Sequence, residues 1–544
     1  MKKVSLVTFS LCLLVAVVYS QNTEVSMNRL TKQQWAEDLD FVVDKLNEVH
    51  PGLYRRISPD SLSIIIRNAK LEIENSSSDV ECYFAIREII AALQDGHTNL
   101  SIRGKIDFIK GKVPIQFDYF NDGYHVIGVE KGNKELLGLK LIAINGVPVE
   151  NIIHRFLEVS SGDNRIGRLG KLRSYLTYPL MLQGAGVQIT DDEINYKFIT
   201  KDGNQFSKTI ACSDYNPADL YSVQDLLGSE TPLHLKNQQK NYWFEYIKSN
   251  KAMYVQINRI ENQSTKDLFS KFSYEFFDYI DKHSDEVENV IIDLRYNAGG
   301  QGRLAISFAK EIIKRGNIDT RGKLFVILGQ KTFSAAIVLA TSLLEYTDAI
   351  FVGSQSACPA NLFSDSQNVG NLPNSEFGLS VASRQIDNAW ISNREYFKID
   401  IPAITNGFDY FSGQDPALNA IQNKGAIPLE DIAALKGADS AYIEYKVLVQ
   451  KYSDILWWSS SVNLESNLNA KADKLVKEGK IDQAEQVMVL NTMIYPSSGS
   501  VWYMIAQIYY LNGKKDQCIK ALEKSLELNP NNQNAIDALN QLKK

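Results

Sequence analysis

From Leu30 to about Leu93 the apolar positions recur with a helical period. Trp35, Leu39, Val42, Leu46 and Val49 share one face, and Cys82, Ile86, Ile89, Ile90 and Leu93 repeat the pattern before Asp95-Gly96. A period near 3.6 predicts amphipathic helices, and the glycine predicts a left-handed helix end there. From about Val113 to Ser213 the pattern shortens into β-like runs, at 113–117, 124–129, 140–144 and 194–199. From about Asn241 to Ile421 short apolar runs alternate with amphipathic ones. The runs at 242–247 and 253–257 predict paired strands, followed by a helix at 269–280, a strand at 290–294 and a helix at 304–313. A strand at 324–328, a helix at 334–344 and a strand at 349–352 follow. That alternation predicts a parallel sheet layered with helices.

The tail repeats itself. Leu468, Ala472, Leu475, Ala484, Met488 and Pro496 recur 34 residues later as Trp502, Ala506, Tyr509, Cys518, Leu522 and Pro530. A 34-residue period with a small residue, an aromatic and a closing proline resembles tetratricopeptide repeats. Two repeats are fewer than the usual three, so they are expected to lean on the preceding helix or on a partner. Farther forward, the apolar run before Ile144-Asn145-Gly146-Val147 resembles PDZ domains, which add extended peptides to a sheet edge; Asn-Gly favours a tight turn with positive φ.

At the start, Lys2 and Lys3 precede a mostly apolar stretch from Val4 to Val18, with Val18 and Ser20 at −3 and −1 of a cut before Gln21. This layout predicts a cleaved secretory signal peptide and an exported, periplasmic or extracellular protein. No later stretch reads as transmembrane. Lys+Arg 58 against Asp+Glu 64 gives a net charge of −6, which lacks the basic footprint of a nucleic-acid binder. Five cysteines, one of them in the leader, are too few for a disulfide scaffold and none has zinc spacing. No cofactor is expected, for want of ligand clusters or a phosphate-binding loop.

Three segments carry candidate chemistry. Ser334 sits where a strand ends and a helix begins, at the positive end of the helix dipole with free N–H groups nearby. The alternative role at that position is helix capping. Asp293-Leu294-Arg295-Tyr296-Asn297-Ala298-Gly299-Gly300 follows a neighbouring strand, and its two glycines allow close backbone approach to a ligand. Asp95-Gly96-His97-Thr98 follows a helix and offers His97 as a base for a serine proton.

Together these segments resemble the S41 serine peptidases, relatives of the tail-specific and tricorn proteases. The matching stretches are Leu93–Thr98, Ile291–Gly300, Lys331–Ala336, Leu372–Val381 and Gly413–Ile421, in the order of that family. The resemblance implies a multidomain α/β chain. With the leader and the repeats added, its parts are a signal peptide (1–20), an N-terminal helical domain (27–105), a PDZ-like domain (106–213), a layered βαβ crotonase/ClpP-like core (240–425) and helical repeats (464–544). The repeats imply a protein partner, and the S41 resemblance implies peptide or unfolded-protein substrates. It also implies catalysis by Ser334 as nucleophile, with an oxyanion hole of the Ala335 N–H and an N–H at Gly299 or Gly300. Tail-processing relatives use a downstream lysine as base, but no lysine lies between Ser334 and Lys398. Tricorn-like relatives use a histidine of the helical domain, which His97 matches, and a carboxylate to orient it, for which Glu395 is the candidate. Ile337 and the stretch Gly353–Cys358 depart from the usual pattern. The alternatives are an inactive peptide-binding protein on the same fold and a hydrolase of another kind.

Overall fold

The computed structural model describes residues 30–543 except 191, 321, 389–393, 423–428 and 452–463. The expected signal peptide lies outside the described residues. Three helices open the fold, Lys32–Val49, Pro59–Asn75 and Asp79–Ala92. Each is started by a side chain: Thr31 pairs with Gln34 and Ser78 with Glu81 in reciprocal caps, and Ser58 caps a helix that begins with proline. The third helix is buried along nearly its whole length. It ends differently from the expectation, because Gln94, not Gly96, takes the positive φ of 52°.

The next region is an antiparallel sheet in the order Ile115–Phe120, Gly123–Val129, Lys140–Ile144, Glu193–Ile199, Gln205–Ala211. Asn145 and Gly146 have φ of 45° and 80°, as the tight turn requires. The sequence pattern singled out only the strands. Three helices, Val149–Glu158, Arg165–Tyr175 and Pro179–Gly184, also lie between them. This region and the N-terminal helices share one apolar core. The buried Arg87 guanidinium ties them together, donating to Val159 O, Tyr83 Oη and Tyr175 Oη at 2.7–2.9 Å.

The six-stranded central sheet runs Ile401–Pro402, Ile350–Gly353, Leu324–Leu328, Asn289–Asp293, Ala252–Ile257, Tyr242–Ile247. The outer strand Tyr242–Ile247 is antiparallel to its neighbour and the other pairings are parallel. Helices Phe269–Lys282, Gly302–Ile313 and Ala335–Tyr346 bury one face of the sheet, and Pro416–Gln422 packs against the other. The first of those cores continues through Leu429 and Ala433 into the C-terminal helices, reaching Leu468, Ala484 and Ala506. The tail therefore shares its hydrophobic core with the central domain, as a short repeat array requires.

One long hairpin, Asn361–Asn371 with Gly378–Asp387, returns to the N-terminal helices. Asn99–Leu100 pairs with its second strand, and Asp38 accepts hydrogen bonds from the Asn374 and Ser375 N–H groups at its tip. Phe377 packs against Trp35 and Tyr83. This clamp holds the third helix and the segment after it over the edge of the central sheet. The cysteines 82, 212, 358 and 518 are free thiols. Among the described residues no helix is long and apolar enough to cross a membrane.

Candidate active site

Two adjacent parallel strands, Asn289–Asp293 and Leu324–Leu328, end at the same edge, and their loops are bonded to each other. Thr332 Oγ1 donates to Leu294 O at 2.8 Å and accepts from Gly329 N at 2.9 Å, while Phe333 N donates to Asn297 O at 2.9 Å. These bonds force Ser334 into φ 55° and ψ −122°, a conformation that favours glycine and costs a serine about 1–3 kcal/mol. The strain turns the side chain outward. Ser334 stands at the cap position of Ala335–Tyr346, yet its hydroxyl makes no capping bond. Instead Ser334 Oγ lies 3.0 Å from His97 Nε2.

His97 is held from several sides. Its ring stacks on Phe333 with centroids 4.6 Å apart. Its N–H and that of Thr98 donate to Asp95 at 2.8 and 3.0 Å, the Thr98 hydroxyl also donates to Asp95, and His50 Nε2 lies 3.4 Å away from the same carboxylate. The Ser366 hydroxyl donates to His97 O at 2.7 Å. Gly96 N donates to Asp163 at 3.1 Å. The absence of a side chain at Gly96 is what lets the loop close, since a Cβ there would stand 2.4 Å from Asp163 and 2.8 Å from the Phe333 ring. Asp163 also pairs with Arg56 at 2.9 Å.

The electrostatics follow from this burial. Burial lowers the His97 pKa from its ordinary value, with the Lys171 cation adding to the effect and Asp95 opposing it. Burial would raise Asp95, but hydrogen bonds from His50, Thr98 and His97 hold it below the usual carboxylate range. Burial wins at Asp163, whose carboxyl is pushed up to about 6 despite Arg56. His97 is therefore poised neutral at pH 7, able to accept a proton from the serine. Asp95, His97 and Asp163 bring one potential metal-ligand atom each within 4.8 Å of one another. All three residues are already engaged, by Thr98, Ser334 and Arg56 among others, and the guanidinium disfavours a cation there.

Gly299 and Gly300 have φ of 113° and 136°, and both need to lack a side chain. A Cβ on Gly299 would stand 2.8 Å from Ser334 Cβ, and one on Gly300 would stand 2.3 Å from Ile260 O. Gly299 N already donates to Asn297 Oδ1 at 2.8 Å. Among the described residues the Gly300 and Ala335 N–H groups have no acceptor. Gly353–Cys358, the departure in sequence, packs against the Ser334 turn: Ala357 N donates to Thr332 O at 3.0 Å, and the Cys358 sulfur takes a backbone hydrogen bond from Ser334.

The expectation for Glu395 differs from what is seen. The charges acting on the His97 ring are Asp95, Lys171 and Asp365. The Glu395 carboxylate instead bonds to Tyr396 and faces Arg168, and its carbonyl accepts from Asn164 Nδ2 at 3.1 Å. Sequence reading also missed Asp163, Arg56 and the stacking role of Phe333. The only signal for Asp163 is a polar stretch, Ser160-Ser161-Gly162-Asp163-Asn164, whose four polar residues are all buried. A cleft of about 790 Å³ opens beside the pair, bounded by Gly96, Ala298, Phe333 and Ala357.

The tetratricopeptide repeat family matches residues 500–532. A sequence search of curated proteins finds no match. Among solved structures, mature CPAF complexed with lactacystin is similar over 72% of this chain and 99% of its own, at 11% identity and a TM-score of 0.51. A serine-to-alanine mutant of CPAF is similar over 73% and 99%, at 11% identity and a TM-score of 0.52. The tricorn protease matches 72% of this chain and 36% of its own, at 12% identity and a TM-score of 0.36. The chain thus shares a multidomain α/β fold with the CPAF structures and carries a tetratricopeptide repeat near its C-terminus.

Proposed function

We propose that the protein is a serine endopeptidase of S41 type, exported by its N-terminal leader, with Ser334 as nucleophile and His97 as general base. The observation that carries this reading is the 3.0 Å contact between Ser334 Oγ and His97 Nε2 on a strained strand-to-helix turn. In the first step His97 takes the hydroxyl proton as Oγ attacks the scissile carbonyl carbon. The carbonyl oxygen then becomes an oxyanion between the Gly300 and Ala335 N–H groups, two donors without another acceptor. The Gly299 N–H is spent on Asn297 and contributes only its lack of a side chain. His97 next passes the proton to the leaving amine, and water repeats the sequence on the acyl-enzyme. Asp95 holds the His97 backbone, and Asp163 fixes the loop through Gly96.

The reading includes the division into a leader at 1–20, a helical domain at 27–105, a PDZ-like domain at 106–213, a core at 240–425 and repeats at 464–544. The Asn145-Gly146 turn and the five-stranded order support the second of these globular units. The repeats would hold a protein partner, since such arrays present extended surfaces. Labelling with a serine-directed fluorophosphonate tests the chemistry. A wild-type chain that labels at Ser334 and cleaves peptides supports it, and a folded chain that does neither is a binder.

A further inference from the structure

We propose that Lys171 is a specificity residue of the cleft and receives a carboxylate of the substrate, so that the cleft selects peptides carrying one there. This rests on the peptidase reading only for the identity of the ligand as a peptide. The cleft beside Ser334 is lined by Arg103, Lys171, Arg173 and Lys331 and by no aspartate or glutamate. Three of these cations already have carboxylates. Lys331 and Arg173 share Asp118 at 2.6 and 3.5 Å, and Arg103 lies 3.8 Å from Asp107. Among the described residues Lys171 has no carboxylate within ion-pair distance. Its ammonium donates to Ser161 Oγ at 2.8 Å and to Gly96 O at 3.3 Å. An ammonium has three donors, so one remains for the cleft.

Its surroundings fix what that donor wants. Asp163 and Asp95 act on it, but Asp163 is paired with Arg56 and Asp95 is filled by His97 and Thr98. Arg87 and Arg168 oppose them. Burial lowers the ammonium to about 8, which leaves it mostly charged at neutral pH. A partly desolvated cation with a spare donor is unfavourable until an anion completes it. The cleft side is the open one, because Gly170 lines it and a Cβ there would meet nothing within 4 Å. Gly96, which Lys171 touches, directly precedes His97, so a carboxylate bound at Lys171 belongs to a substrate residue close to the scissile bond. A charge-assisted hydrogen bond of this kind separates a carboxylate from its amide isostere by roughly tenfold or more.

Full-length Ser334→Ala, which holds peptide without cutting it, is titrated with matched fluorescent peptides. They contain glutamate or glutamine, each with a free or an amidated C-terminus. A carboxylate-bearing peptide is expected to bind roughly tenfold or more tighter than its neutral counterpart, and the four peptides tell a side-chain carboxylate from a C-terminal one. Adding Lys171→Met should reduce the preference to below about twofold, and Lys171→Arg should retain most of it, since the charge persists. A purely structural lysine would change all four affinities alike. Should Lys171→Met unfold the chain, the preference of the Ser334→Ala protein itself must still weaken as salt is raised. Equal affinities, no binding of any peptide by the folded protein, or a preference that survives Lys171→Met would each overturn the proposal. Fluorophosphonate labelling of the wild type reads the peptidase separately: labelling without discrimination sinks only the Lys171 role, and discrimination without labelling sinks only the peptidase.

Discussion

Ser334 Oγ and His97 Nε2 lie 3.0 Å apart although 237 residues separate them in the chain. Neither residue makes this contact by local structure. The serine is aimed by the bonded loops of the central sheet, and the histidine by Asp95, Asp163 and the returning hairpin. The following outcomes test that arrangement.

Ser334→Ala should lower peptide turnover by roughly 10³–10⁶-fold and abolish fluorophosphonate labelling, with the fold intact. Ser334→Gly should be equally inactive but more stable than Ser334→Ala by about 1 kcal/mol. Glycine relieves the left-handed strain, and its extra backbone entropy offsets only part of that gain. Thermal unfolding of the two variants compares them, and a lower midpoint for glycine would contradict the strain.

His97→Ala should remove nearly all activity, and His97→Lys should not restore it, because the longer side chain misplaces the base. Activity should rise as pH climbs through a single midpoint and then stay level. The base works only when neutral, and burial lowers its pKa from 6.5, so the midpoint belongs below that value. A kcat/KM profile whose rise is centred well above 7 would point to another base.

Arg56→Met leaves the buried Asp163 carboxylate without its 2.9 Å partner. The expected loss is about 3 kcal/mol at pH 8, from uncompensated burial. The sign of the pH effect follows from the folded carboxyl titrating at about 6 against 3.8 ordinarily. Between those values the folded state binds the extra proton, so the Asp163 contribution favours folding as pH falls through 6 toward 4. The variant should therefore be penalised less at pH 5 than at pH 8 in denaturant titrations. An equal penalty at both would show that Asp163 is not the group involved.

Gly300→Ala should destabilise the chain and depress kcat by about 10²-fold or more, because its Cβ would meet Ile260 O at 2.3 Å and displace an oxyanion donor. Gly299→Ala would press on Ser334 Cβ from 2.8 Å. Its loss should appear in both labelling rate and turnover, since the nucleophile itself moves. Wild-type rates in either variant would refute the geometry.

A chain ending after Lys451 should keep its activity per folded molecule yet unfold at lower temperature. The sequence alone suggests a dispensable module with a cut near Ser459, which lies outside the described residues. The folded chain has Ala433, Ala438 and Ala441 in one core with Ala484 and Met488, and Ala438 N bonds to Gln486 at 3.1 Å. Truncation exposes that apolar face. A truncated protein as stable as the whole would show that the tail does not brace the core.

The sequence by itself determined most of the elements and which residues carry candidate chemistry. Periodicity placed the helices around Trp35 and Ile86 and the strands at Val290 and Leu324, because local spacing of apolar residues is enough to choose between helix and strand. Read with the S41 resemblance, it also singled out Ser334, His97, Gly299 and Gly300 as candidates, although each alone fits a cap, a tight turn or a polar loop. It placed the left-handed residue at Gly96 when Gln94 takes it, and it offered Glu395 as the orienting carboxylate when Asp95 and Asp163 hold the His97 loop. Only the tertiary structure decided those points. A pattern reports what each residue prefers along its own element, whereas the contacts of Gly96 and His97 with Asp163, Phe333, Ser334 and Ser366 join distant segments, aided by the Asn374–Asp38 clamp and a shared core. Which backbone N–H remains free, which carboxylate is desolvated and which lysine lacks an anion depend on neighbours that no local spacing encodes.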